Sequence, residues 1–291
     1  MLLEARGKIN WMLKVCGERE DGYHLLDMLM QPVSLCDDVT LHPSSTITLT
    51  TSGFPRLYPG PDHLALRAAQ ALAQATNTSY GASIHVHKRI PVGAGMGGGS
   101  ADAAAVLVGL NKLWKLFLTT EELCQIGLTL GADVPFCIQG GLMRVSGIGE
   151  IMTPVPCHRH YWLIAAQPCR GLSTKEIFTG CTVPKSPPKE DVLLPAIEAI
   201  QTADFKQMRR CLSNDLQPVS IARRPTIQDA IDHLRHLGAA FAMMTGSGSA
   251  VFGVFPSAAL ARQALTTLRP RWRLVFMCHT CQESIHRADP E

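Results

Sequence analysis

No stretch of the 291 residues approaches the roughly 18 consecutive apolar residues of a membrane-spanning helix. The opening Met1-Leu2-Leu3-Glu4-Ala5-Arg6 also lacks the layout of an export signal. An excess of one charge is missing too. Lysine and arginine number 27 against 24 acidic residues, a net +3, so no general electrostatic pull towards nucleic acid or an anionic membrane is expected. Aromatic residues make up only 6%, which also counts against an RNA-binding surface. Repeats and low-complexity tracts are absent. The ten cysteines are scattered without a framework spacing and read as reduced thiols in a cytoplasmic protein. Cys278-His279-Thr280-Cys281 is an isolated pair whose nearest further candidates, Cys157, His158 and His160, lie far back in the chain, so no metal site is assigned.

Core-forming material is plentiful: 46% of residues are hydrophobic and 18% charged, which excludes a disordered chain. At roughly 100–200 residues per domain the length suggests two domains. A boundary near Pro154–Pro156 gives residues 1–155 and 156–291. Apolar alternation predicts an opening strand pair through Leu3–Ile9 and Met12–Val15, then strands at Val39–Leu41, Thr46–Thr50 and Ala82–Lys88. A helix is expected after Pro61, with Asp62 as its cap, another over Ala101 to about Lys115, and a third from Thr119 or Thr120 with Glu121 and Glu122 in its first turn. Later come a strand over Tyr161–Ala166, a loop over Thr182–Glu190, helices over 191–212 and 225–237, and a closing strand, helix and strand over 251–278. Interspersed strands and helices make the class α+β.

Chemistry concentrates in Pro91-Val-Gly-Ala-Gly-Met-Gly-Gly-Gly-Ser100. Five glycines in seven positions suit neither strand nor helix, but they let backbone N–H groups approach a ligand closely. The run falls between a predicted strand and a predicted helix, whose first turn offers unsatisfied N–H donors and partial positive charge. A phosphate site fits better than a flexible turn. No Gly-Lys-Ser/Thr closes the run, so it is not a Walker A loop, and the spacing does not suit a dinucleotide fingerprint. Ser100 can cap the helix or offer its hydroxyl to phosphate or metal. Asp133, among apolar neighbours, reads equally as a helix cap or as a site carboxylate. Lys8, in a strand-like run, is either an outward lysine or a half-buried cation that needs an anionic partner. Thr245-Gly246-Ser247-Gly248 is a weak signal by itself.

Taken together, these segments resemble the GHMP kinases, the family of galactokinase, homoserine kinase and mevalonate kinase. The resemblance runs through Gly7-Lys8-Ile9-Asn10, Asp21-Gly22-Tyr23-His24, Lys88-Arg89-Ile90-Pro91 with the glycine loop, and Gly131–Phe136. It continues through Gly147-Ile148-Gly149-Glu150, Ser213–Leu216 and Thr245–Gly248. It implies an N-terminal domain with a left-handed βαβ unit and a C-terminal ferredoxin-like domain. ATP with Mg²⁺ is implied over Lys88, Pro91, Gly93, Gly95, Met96, Gly97, Gly98, Gly99, Ser100 and Ala101, with Lys88 beside the nucleoside. Lys8 and Asp133 match the family's catalytic pair. Asn10, Tyr23, His24 and Phe178 match positions for the acceptor, with Tyr23 and His24 at its cytosine end and Phe178 on the other face of the ring. The implied reaction is ATP-dependent phosphorylation of the 2-hydroxyl of a cytidine diphosphate-linked methylerythritol, a small-molecule substrate. Neither nucleic acid nor membrane is a partner, and the protein is a monomer or homodimer. A kinase for another small alcohol and a non-catalytic nucleotide- or RNA-binding module are the rivals. The family pattern is departed from in three places: Ala101 replaces a second serine, His63 stands where asparagine is frequent, and Arg6-Gly7 precede the lysine in place of Pro-Ala.

Overall fold

The apolar alternation at the N-terminus extends into strands longer than the sequence pattern suggests. In a computed structural model that describes residues 1–53, 60–184 and 191–288, the expected opening strand pair is one strand, β1 (Leu2–Glu18), paired antiparallel with a second, β2 (His24–Ser44). Their register shifts between Arg6 and Lys8 and again between Asn10 and Met12. Such bulges re-aim side chains, and here they bracket Lys8 and Asn10. They also broke the strict alternation on which the sequence reading relied.

β3 (Thr48–Gly53), α1 (Leu64–Ala75) and β4 (Gly81–Lys88) form a βαβ unit with β3 and β4 parallel. Asp62 does not cap α1; His63 does, accepting the Ala65 N–H on Nδ1. Burial and the nearby Lys88 charge lower the His63 pKa, which keeps that acceptor lone pair free. α2 (Gly98–Leu113) starts inside the glycine run, earlier than expected, with Gly97 rather than Ser100 at its cap. α3 (Thr120–Leu128) is closed by a capping box between Thr119 and Glu122, and α4 (Val134–Gln139) follows.

β5 (Met143–Gly147) pairs with the first half of β2, while β4 pairs with the second half. β6 (Ile151–Pro154) pairs with β5. The second sheet comprises β7 (Trp162–Ala166), β8 (Phe241–Met244), β9 (Val251–Phe255) and β10 (Val275–His279), in the order β10-β7-β9-β8 and antiparallel throughout. Around it lie α5 (Thr174–Thr179), α6 (Leu194–Thr202), α7 (Phe205–Cys211), α8 (Gln217–Arg223), α9 (Thr226–His236) and α10 (Ala258–Leu268). The single helix expected over 191–212 is two, because Ala203 adopts a left-handed conformation at φ 60°. α5 and α8 are too short to carry a readable periodicity. Of the loop expected over 182–190, residues 182–184 have no regular structure and 185–190 lie outside the described residues.

The last strand, β11 (Ile285–Arg287), returns to pair with β1, so the end of the chain completes the first sheet. The two sheets also meet through Trp11 of β1. Its ring packs edge-on against Tyr161 at 5.1 Å and Phe252 at 5.7 Å, and its indole N–H donates to Gln31. No helix among the described residues is long and apolar enough to cross a membrane. Replacing the α3 cap, Thr119→Ala, is expected to cost about 1 kcal/mol, read as a lower denaturation midpoint with unchanged slope in urea titration.

Candidate active site

β4 alternates Ala82, Ile84, Val86 and Lys88 towards the core, then hands the chain to the glycine run. Gly93, Gly95 and Gly97 all have positive φ, at 62°, 77° and 69°. Gly95 is required for a second reason: a Cβ there would lie 2.3 Å from the carbonyl oxygen of Thr245. The glycine loop and the turn Thr245–Gly248 therefore touch backbone to backbone. Ala250 N–H also donates to the Ala94 carbonyl at 3.1 Å, and Lys8 N–H to Met96 at 2.9 Å. The weak second glycine signal in the sequence is the other half of this contact.

The first intrahelical bond of α2 is Ala101 N–H to the Gly97 carbonyl. The N–H groups ahead of it, on Gly98, Gly99 and Ser100, have no acceptor within the helix, and all three residues line a cavity of about 520 Å³. That helix start, with its partial positive charge, suits an anion.

Lys8 and Asp133 come together at the same place. Lys8 is buried, donates to Asn10 Oδ1 at 2.7 Å and lies 3.8 Å from Asp133 Oδ2. Asp133 occupies the cap position of α4, but its side chain makes no capping bond, so the carboxylate is left facing the cavity. A Cβ on Gly97 would be 3.1 Å from Lys8 Cγ and 3.8 Å from Asp133 Oδ2, which puts the pair directly against the helix start. Asn10 does more than line the pocket. Its Oδ1 accepts the Lys8 ammonium and the Gly246 N–H, and its own N–H donates to Thr245 Oγ1. It ties the lysine to the second glycine turn.

The remaining expected residues divide. Pro91 and the loop from Gly93 to Ser100, Met96 included, line the cavity with Phe178 and Asn10. Ala101 does not; its methyl is buried in the core beneath α2. Tyr23 is 61% exposed at the tip of the β1–β2 hairpin, outside the residues that line the cavity. His24 faces Phe178, with ring centroids 5.2 Å apart at 45°. Lys88 lines the cavity, but its ammonium is held by Asp37 and Asp102. Thr174 and Ser247, whose hydroxyls bond each other at 3.0 Å, also line the pocket; Ser247 belongs to the second glycine turn, whereas Thr174 is not expected there from sequence. Only the contact of α5 with the second glycine turn brings Thr174 there.

A larger hollow, about 950 Å³, runs along the outer edge of β8. Arg209 and Arg235 donate to the Ala240 and Ala242 carbonyls there, and Gln217 accepts the Met244 N–H. These side chains cap an open strand edge, and the hollow holds neither the lysine–aspartate pair nor the glycine loop.

Comparison with known proteins agrees with this geometry. The GHMP kinases N terminal domain matches residues 63–141, and the GHMP kinases C terminal domain matches residues 196–273. A 4-diphosphocytidyl-2-C-methyl-D-erythritol kinase of Alkaliphilus metalliredigens is 38% identical over 269 residues, 91% of each chain. The chain belongs to the GHMP kinases. Another relative of the same name, from Clostridium perfringens, is 37% identical over 274 residues, covering 94% of this chain and 95% of its own. Among solved structures, a 4-(cytidine 5'-diphospho)-2C-methyl-D-erythritol kinase superposes with a TM-score of 0.82 at 32% identity, over 96% of this chain and 99% of that one. A homoserine kinase from Cytophaga hutchinsonii shares the GHMP fold at TM-score 0.75 and 16% identity, over 98% and 96% of the two chains.

In this GHMP kinase, Gly97→Val forces a branched side chain into φ 69° and against Lys8. Titration calorimetry with an ATP analogue should show affinity lowered by at least about tenfold, a loss of 1.4 kcal/mol or more.

Proposed function

We propose that this GHMP kinase transfers the γ-phosphoryl group of ATP to the 2-hydroxyl of 4-diphosphocytidyl-2-C-methyl-D-erythritol, a step in isoprenoid precursor synthesis. The observation that carries the chemistry is the Lys8–Asp133 pair set against the N-terminus of α2. The acceptor is argued from the relatives so named, at 37–38% identity over most of the chain. Homoserine and mevalonate kinases match at 16% and 14% identity, so a kinase of either type is the weaker fit.

Phosphoryl transfer asks the protein chiefly for positioning and charge stabilisation. The backbone donors of Gly98, Gly99 and Ser100 cradle the phosphates. Asp133 accepts or orients the proton of the attacking hydroxyl. The Lys8 ammonium, 3.8 Å from that carboxylate, offsets charge on the transferring group. His24 and Phe178 supply aromatic surface for the cytosine.

Mg²⁺ belongs to the same reading. No group of three or more histidine, cysteine or acidic side chains converges among the described residues. A Mg²⁺ there would be held mainly by nucleotide phosphates and water, with the Ser100 hydroxyl and the Asp133 carboxylate, which line the same cavity, as the protein groups that would hold it. The ion would neutralise charge on the β- and γ-phosphates. A division into domains at 155/156, a cytoplasmic location and a small-molecule acceptor complete the proposal.

Two measurements test it. ADP release, followed by a coupled assay, should be rapid with the cytidyl substrate and at background with homoserine and mevalonate; the opposite preference overturns the assignment. Asp133→Asn should lower turnover at least about 10²-fold while ATP binding survives. Near-normal turnover in that variant removes Asp133 from the chemistry.

A further inference from the structure

Asp37 falls in none of the motifs that mark the family, yet it is fully buried in β2 and its carboxylate makes three bonds. Oδ1 accepts the backbone N–H groups of Arg89 at 2.5 Å and Ile90 at 2.8 Å. Oδ2 accepts the Lys88 ammonium at 2.5 Å. Lys88 also donates to Asp102 Oδ2 at 2.5 Å, near the start of α2. One carboxylate thus grips the two residues that lead into the glycine loop and, through Lys88, the helix that leaves it. Ile90 carries the grip further: its side chain would lie 3.0 Å from a Cβ on Gly98 and 3.3 Å from one on Gly7, so it packs between the helix start and the strand that bears Lys8.

We propose that Asp37 is a positioning residue for ATP, which holds the glycine loop and the start of α2 in their phosphate-binding arrangement through Lys88 and the Arg89 and Ile90 amides. The proposal rests on the kinase reading above. A loop with three glycines at positive φ loses much backbone entropy when it is ordered. Tethering both of its ends during folding removes that cost from the binding step. The cluster's charge is compatible with phosphate nearby. Asp102 is buried, its Oδ1 has no partner, and burial pushes its carboxyl up to about 8. Both carboxyl groups face the Lys88 ammonium, which offsets negative charge in the cluster.

The test is calorimetric titration of the folded full-length chain with a non-hydrolysable ATP analogue, beside steady-state kinetics. Asp37→Asn is expected to raise the analogue Kd about tenfold through loss of charge-assisted hydrogen bonds. Its turnover at saturating ATP and its KM for the alcohol substrate should stay within about twofold of the parent. A merely structural aspartate would lower stability and raise both KM values together, and that outcome overturns the proposal. So does an unchanged Kd. Asp38→Asn is the control, since Asp38 pairs with the Arg89 guanidinium at the surface; its Kd should not move. If Asp37→Asn does not fold, Lys88→Gln leaves the two backbone bonds intact and should still raise the Kd at least about threefold; no rise overturns the proposal. A parent chain that binds no analogue overturns this proposal and the kinase reading together, whereas normal parental binding with an unaffected Asp37→Asn sinks the proposal alone.

Discussion

An ammonium group cannot be buried in a protein interior without an anionic or strongly polar partner, and two lysines are buried among the described residues. Lys8 points inward from β1 and Lys88 from β4. Each lysine draws side chains from other elements towards it: Asn10 and Asp133 around Lys8, Asp37 and Asp102 around Lys88. The two cations flank the start of α2, where a Cβ on Gly98 would lie 3.5 Å from Lys88 Nζ and one on Gly97 would press on Lys8. The N-terminal end of the helix is therefore placed between two satisfied positive charges rather than left to the flexibility of its glycines.

The partners of the two lysines are not equivalent, and the difference separates their tasks. Lys88 has two carboxylates in contact and is sealed from solvent, so its charge is consumed by the fold. Lys8 is held by a neutral amide oxygen, with its carboxylate further off at 3.8 Å and 35% exposed. Attraction across that longer gap is weaker, which leaves Lys8 able to interact with a phosphate and Asp133 with an alcohol. The second half of the chain contributes through contact rather than chemistry. Thr245–Gly248 buttresses the glycine loop and binds Asn10, while Asn214 donates to the carbonyls of Met244 and Gly246 from behind. A displacement of that turn reaches the lysine through one shared amide.

Much of this arrangement could be read in advance. The strand-to-helix position of the glycine run, the capping box at Thr119, and the strands at 82–88 and 251–255 follow from local rules of periodicity and capping. The association of Lys8 with Asp133 came from the family resemblance, since 125 positions separate them and no local rule connects such residues. Two residues of contiguous motifs lie apart from the cavity for identifiable reasons. Tyr23 belongs to a contiguous motif with His24, but a hairpin tip directs neighbours differently, and only the histidine reaches Phe178. Ala101 lies within the glycine motif, yet the helical turn that begins at Gly98 rotates its methyl into the core. Asp37 and Asp102 were missed although one signal existed. Lys88 is in phase with Ala82, Ile84 and Val86 on the apolar side of its strand, and a lysine there requires carboxylates.

By itself, then, the sequence determined which segments fold as strand or helix, where backbone amides are left open to an anion, and which side chains are chemically able to take part in phosphoryl transfer. These properties depend on residues within a few positions of one another, and short-range sterics and hydrogen bonding decide them. Only the tertiary structure decided which lysine keeps its charge available, which carboxylates neutralise the other, and which aromatic ring lies beside Phe178. Those outcomes depend on distances between strands and helices far apart in the chain, and packing alone sets them.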